Sequence, residues 1–257
     1  MGIINSIIDT YSNFFDWHMW IDLFTDPVAW GLIATLVLME GLLSADNAIA
    51  LAVQVKHLPE KQRKKALTYG LLGAYVFRFL AIGIGTTLVK LWYIKLIGGA
   101  YLIFLMVKFY REYFKAKRLQ AEADENGEEV EHVRKIGTLE RYIGIFWSTV
   151  VTVELIDIAF SIDSVLAAFG VSDHIGILLL GGMIGILMMR GVAQLFTGLM
   201  EKVPELEQTA YIIVGFIGVK MLLSLIHIEI PHIAFFAFIV VAVVGTIGMH
   251  FAKAKKN

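Results

Sequence analysis

No cysteine occurs in this sequence of 257 residues, which excludes a disulfide framework and a thiolate metal site. Charge is scarce too. Asp, Glu, Lys and Arg make up 18% of the chain against 58% hydrophobic residues, with a mean hydropathy of +0.71. That is too apolar for an ordinary soluble domain and places the chain in a lipid bilayer. At about 20 apolar residues per span, the length allows roughly six to eight transmembrane helices and little soluble structure. Lys and Arg are absent from the first 26 residues, which instead carry Asp9, Asp16, Asp22 and Asp26. This is the reverse of a positively charged leader. Residues 1–27 are therefore expected to be retained as an extracytoplasmic acidic segment, with Phe14, Phe15, Trp17 and Trp20 at the membrane interface. Nucleic acid is not an expected partner; the lipid bilayer is.

Apolar runs bounded by charge or proline predict an all-α protein with seven spans, over 28–53, 66–89, 92–111, 142–169, 174–199, 208–227 and 231–251. Counting Lys and Arg in alternate connections gives sixteen on one side and two, Lys90 and Lys95, on the other. The positive-inside rule then sets the N-terminus outside and the C-terminus in the cytoplasm of a cell (cytoplasmic) membrane protein. Residues 112–141, with their EADENGEEVEH core, read as a charged cytoplasmic linker, and residues 228–257 as a seventh helix with a basic tail.

Four basic residues fall inside the predicted spans, and their spacing repeats. Arg190 follows Arg78 by 112 residues, and Lys220 follows Lys108 by the same number. Ser44, Asp46 and Asn47 match Ser161, Asp163 and Ser164 at a shift of 117, and Glu40 matches Asp157. Each unit, 28–111 and 142–227, holds three spans. An odd number puts the second copy upside down, which is an inverted-topology repeat with one helix added.

Glu40, Asp46, Glu154, Asp157 and Asp163 all lie in apolar stretches. An acid at membrane depth costs on the order of a few kcal/mol and needs protonation, a basic partner or a bound cation. Arg78, Arg190, Lys108 and Lys220 are the available bases; the arginines are read as partners of the carboxylates, the lysines as gating partners or snorkelling chains. The motifs themselves combine carboxylate, amide and hydroxyl oxygens without His or Cys. Such donors suit Mn²⁺, Ca²⁺ or Mg²⁺ rather than Zn²⁺ or Cu⁺. The expected metal-binding set is Glu40, Asp46, Asn47, Asp157, Asp163 and Ser164. Glu154, Ser44, Ser161, Arg78, Arg190, Lys108 and Lys220 would support it or carry protons. On a straight helix each motif Asp lies about 120° from the acid six residues earlier, so local unwinding at the motifs is expected.

The segments MEGLLSADNAIALAV (39–53) and ELIDIAFSIDSVLAAFG (154–170), with an Arg in each following helix and GGAYLIFLMVK (98–108) answered by GFIGVKMLL (215–223), resemble the TerC family of integral membrane proteins. The likeness covers residues 28–251. It implies a seven-helix fold related to LysE-type exporters and, for many members, efflux of Mn²⁺; members are also tied to tellurite resistance, pH responses and metalation of exported enzymes. The family's acidic signature falls on Glu40, Asp46, Asn47, Glu154, Asp157, Asp163 and Ser164. The expected function is therefore export of a divalent cation, Mn²⁺ foremost, by proton-coupled alternating access, with the transported ion and no other cofactor. Two rivals stand beside it: a non-transporting assembly factor working with the secretion machinery, and an oxyanion transporter centred on Arg78 and Arg190. An enzyme is not expected, since no nucleophile–base pair or cofactor fingerprint occurs.

Overall fold

The computed structural model of the chain describes residues 11–12, 14–84, 92–126, 138–228 and 230–254. Nine helices account for nearly all of them, and no strand occurs among the described residues. Helix α1 (Trp17–Thr25) and α2 (Pro27–Leu43) meet at a bend of 87°. The corner follows from Asp26-Pro27: a residue before proline is driven to extended backbone, and Asp26 sits at φ −88°, ψ 114°. Its carboxylate then accepts from the Val28 N–H at 2.8 Å, capping α2 with proline in the first turn.

After Ser44 come α3 (Ala45–Val55), α4 (Glu60–Ile84), α5 (Trp92–Asn126), α6 (Thr138–Phe169), α7 (Ile175–Lys202), α8 (Glu205–Ser224) and α9 (His232–Ala254). Each expected span overlaps at least one helix, but the expected span 28–53 is split between α2 and α3, residues 85–89 of the second lie outside the described residues, and two helices run beyond their apolar stretches. Helix α4 begins at Glu60 and α5 continues to Asn126, through half of the expected linker. Residues 60–65 and 112–126 contain neither Gly nor Pro and are rich in Glu, Lys, Arg and Ala, which favour helix whether or not lipid surrounds them. Residues 127–137 of that linker, and residues 1–10 of the N-terminal segment, lie outside the described residues. Helix α6 is interrupted early, at Gly144, whose φ of 76° only glycine adopts without strain.

Helices α4, α5, α7, α8 and α9 are long and apolar enough to cross a membrane, and the bent pair α1–α2 makes up to six. The packing is reciprocal. Helices α2 and α3 lie on α7, α4 lies on α6 and α7, α5 lies on α8, and α9 rests on α8. Helix α3 is the centre: Ala48, Leu51 and Ala52 are wholly inaccessible, and the alanines admit neighbours closely.

Helices α5 and α8 run antiparallel, with Gly99 against Gly218, Met106 against Gly215 and the Phe109 and Tyr211 rings stacked at 3.8 Å. A Cβ on Gly218 would stand 2.7 Å from the Gly99 carbonyl oxygen and 2.9 Å from Ile103 Cγ1. Backbone cannot yield as a side-chain tip does. Gly218→Val is therefore expected to destabilise the protein by about 1–3 kcal/mol in micelle unfolding assays. Gly248→Ala, where no atom lies within 4 Å of the new carbon, should be neutral or slightly stabilising.

Candidate cation site

The first acidic motif straddles a break in the helix. Ser44 leaves helical geometry at φ −107°, ψ 7°, so that Glu40 belongs to the last turn of α2 while Asp46 and Asn47 open α3. An acid in a first turn faces the positive end of the helix dipole, and Asp46 Oδ1 accepts from the Asn47 N–H at 3.0 Å. The expected unwinding is thus present at this motif. At the second it is not: α6 runs without interruption through Ser161, Asp163 and Ser164. Nothing in the residue types of the two motifs separates them in this respect.

The two motifs meet. Asp46, Asn47 and Ser44 from one, and Asp163 and Ser164 from the other, line a single cavity of about 300 Å³. Apolar side chains, Phe160 and Met221 among them, complete the wall, and Lys95 of α5 and Lys220 of α8 project into it. Each lysine holds one carboxylate. Lys220 Nζ donates to Asp46 Oδ2 at 3.2 Å, and Lys95 Nζ donates to Asp163 Oδ1. The Asp46 side chain is buried; that of Asp163 is 56% exposed, so the second motif acid is not the buried group that the hydropathy of its helix suggests.

Beside this cavity lies a buried tier of charge. Arg78 Nη2 donates to Glu40 Oε1 at 2.7 Å, and Arg190 Nη2 donates to Asp157 Oδ2 at 2.8 Å. All four residues are buried. The tiers touch through hydroxyls: Arg78 Nη2 also donates to Ser164 Oγ at 3.2 Å, and Ser44 Oγ lies 3.4 Å from Glu40 Oε1. Ser161 is buried and takes part through its carbonyl, which accepts from Ser164 Oγ at 3.2 Å.

Both arginines are seated on glycine. A Cβ on Gly182 would lie 3.0 Å from the Arg78 guanidinium, and one on Gly70 would lie 3.2 Å from Arg190 Nη2. Helices α4 and α7 share the spacing Gly-x-x-Gly-x-x-x-x-Arg, at 70–78 and 182–190. Each helix places its arginine against the first glycine of the other. Gly70 and Gly182 are the pair that makes room for the guanidinium groups. Gly185 admits the Glu40 side chain, and Gly73 admits Glu154.

The expected ligands therefore divide. Asp46, Asn47, Asp163 and Ser164 reach the cavity together with Ser44, whereas Glu40 and Asp157 are held in the arginine pairs. Glu154 packs against α4, and its Oε1 is buried without a hydrogen-bond partner. No three His, Asp or Glu side chains among the described residues are grouped tightly enough to hold a metal without rearrangement. Of the three compensations that sequence left open, basic pairing is the one this conformation uses for the motif carboxylates.

Lys108, expected as a gating partner or a snorkelling chain, is exposed on α5 and does not line the cavity, whereas Lys95 does. The reason is depth. In antiparallel helices crossing at Gly99 and Gly218, residues before the first and after the second share one end of the pair. Lys95 and Lys220 meet that condition; Lys108 stands about 20 Å further along α5 than Lys95.

Comparison with known proteins agrees with an architecture of membrane-spanning apolar helices. The chain is 52% identical over 257 residues to the membrane protein YceF of Bacillus subtilis, covering 100% of this chain and 96% of that one. It is 38% identical over 218 residues to YkoY of the same organism, spanning 77% of this chain and 62% of that protein. The thylakoid membrane protein TERC of Arabidopsis thaliana is 30% identical over 211 residues, 73% of this chain and 52% of the plant protein. No solved structure matches. The family model described as the integral membrane protein TerC family covers residues 25–257, which include both acidic motifs and helices α2 to α9, and so the chain is a multi-pass integral membrane protein that belongs to the TerC family.

Proposed function

We propose that this protein exports a divalent cation, Mn²⁺ foremost, across the cell membrane by alternating access at the cavity between the two acidic motifs. The observation that carries the reading is that Asp46 and Asp163, 117 residues apart, line one cavity with Ser44, Asn47 and Ser164. Two carboxylates with amide and hydroxyl oxygens are a hard donor set for such an ion. The preference for Mn²⁺ and for efflux rests on the family resemblance.

The reciprocal packing of α2–α3 on α7 and of α4 on α6 is what an inverted three-helix repeat requires. Seven spans follow when α2 and α3 count as one broken helix and α6, at 32 residues, as another. The cavity lining extends to Ser224, Ile228 and Ile230 at the C-terminal end of α8, which we take as its point of access. The opposite end is clasped by Lys56–Glu207, Arg63–Glu201 at 2.5 Å and His250–Glu205 at 2.7 Å. With the basic connections in the cytoplasm, this is an outward-facing conformation. The route from cavity to Glu40 through Ser44, and to Arg78 through Ser164, supports proton coupling at the Glu40–Arg78 pair.

The oxyanion alternative is disfavoured, because Arg78 and Arg190 are each engaged by a carboxylate and neither lines the cavity. One relative, 29% identical over 228 residues, is named as a putative membrane-bound redox modulator, Alx of Salmonella typhi. This chain has no cysteine, so it has no thiol chemistry of its own to offer. The decisive experiment is ⁵⁴Mn²⁺ flux in proteoliposomes containing the purified chain, with Ca²⁺ and Mg²⁺ as competitors. Saturable, competable flux is expected. Its absence, with partner membrane proteins captured instead, would move the assignment to an assembly factor.

A further inference from the structure

Helix α9 has no partner in the repeat, yet it reaches the site. Lys220 Nζ, 3.2 Å from Asp46 Oδ2, stands at the same time 4.2 Å from the centroid of the Phe235 ring of α9. Phe235 is buried and stacks on Phe216 of α8 with centroids 5.6 Å apart and planes within 7°. The ring is thus fixed, with its face turned to the ammonium group. Among the described residues no aromatic ring stands over Lys95, whose carboxylate partner is the exposed Asp163.

We infer that Lys220 is a tethered counter-cation which occupies Asp46 while cargo is absent, and that Phe235 retains its ammonium group when a divalent cation displaces it. The inference rests on the cation-transport reading. Asp46 cannot be left bare at membrane depth, so an empty site needs a positive charge of its own. An ammonium group on a four-carbon stem supplies it reversibly, because it binds as a point charge and can swing. The cargo must then compete with Lys220 for Asp46. A displaced ammonium group with nowhere to go would make that exchange unfavourable. The face of a buried aromatic ring is attractive to a cation, and Phe235 lies within reach of the same Nζ. Helix α9, unexplained by the repeat, thereby acquires a function in setting affinity.

The consequence runs against the usual effect of deleting a charged side chain at a binding site. Removing Lys220 should strengthen cargo binding, because it removes a competitor. Removing Phe235 should weaken it, and only while Lys220 is present. The test is equilibrium binding of Mn²⁺ to the purified full chain in nanodiscs, with thermal unfolding of each variant as a fold control. Lys220→Met is expected to bind Mn²⁺ about tenfold more tightly than the unaltered protein, and Lys220→Arg about as well as the unaltered protein. Phe235→Leu is expected to bind about threefold more weakly, Phe235→Trp no more weakly, and Lys220→Met/Phe235→Leu as tightly as Lys220→Met alone. Should Lys220→Met not fold, Lys220→Gln asks the same question.

Weaker binding by the folded Lys220→Met or Lys220→Gln protein overturns the counter-cation role. An effect of Phe235→Leu that persists in the double variant overturns the role of the ring. A chain that binds no divalent cation in any form fails on the transport reading itself, which is a different result from either.

Discussion

Arg78→Met is expected to lower the stability of the folded chain by about 3–5 kcal/mol, the cost of leaving a buried carboxylate without its partner. Glu40 and Arg78 show only 8% and 1% of their side chains, and their contact is 2.7 Å. Met fills much of the volume of the arginine stem, so the loss is chiefly electrostatic. Arg190→Met should cost a similar amount through Asp157, which is 4% exposed. The decisive comparison is Glu40→Gln/Arg78→Met. Removing both charges removes the orphaned carboxylate, and most of the loss should return, because a well-packed neutral pair is often no worse than a buried ion pair. Denaturant unfolding of the purified protein in micelles reads all of these variants. A single variant within about 1 kcal/mol of the parent would mean that the arginine pairs are wetter, and the tier less buried, than the geometry describes.

That the arginines would answer the acids could be read from the sequence, because charge in an apolar helix has few solutions and the shift of 112 residues ties Arg78 to Arg190. The helices could be read too, since lipid demands apolar runs of known length. Their ends could not, where charged helix formers carry α4 and α5 beyond the apolar run. Pairing across helices was also hidden. Shift arithmetic aligns Lys108 with Lys220, whereas contact depends on depth along antiparallel helices, which only the crossing of Gly99 and Gly218 sets. Lys95 carried one usable signal: a lysine close to a Gly-Gly pair, as Lys220 is close to Gly218. The division of six expected ligands into a cavity set and two arginine pairs was likewise beyond spacing. Glu40 and Asp46 are separated by six residues on one apolar stretch, and only the break at Ser44 assigns them to different surroundings.

That division leads to the second large effect. Asp46→Asn and Asp163→Asn should each reduce Mn²⁺ flux in proteoliposomes by about a hundredfold at cation concentrations below saturation. A carboxylate a few ångströms from a divalent ion in a partly screened cavity contributes roughly 3 kcal/mol net of desolvation, and that converts to such a factor. Asn keeps the shape and one oxygen, so the change isolates charge. The two variants should differ in stability. Asp46 is buried and Lys220 would lose its carboxylate partner, whereas Asp163 is exposed and its loss from Lys95 should cost little. Glu154→Gln is the control. It removes a half-buried acid that packs on Gly73 away from the cavity, and it should keep most of the flux. In cells sensitised to Mn²⁺ the same order should appear as lost tolerance for the two Asp variants and retained tolerance for Glu154→Gln. Full tolerance in both Asp variants would remove the cavity as the transport site. Loss in Glu154→Gln equal to theirs would shift the proton or cation path toward the Asp157–Arg190 side of the buried tier.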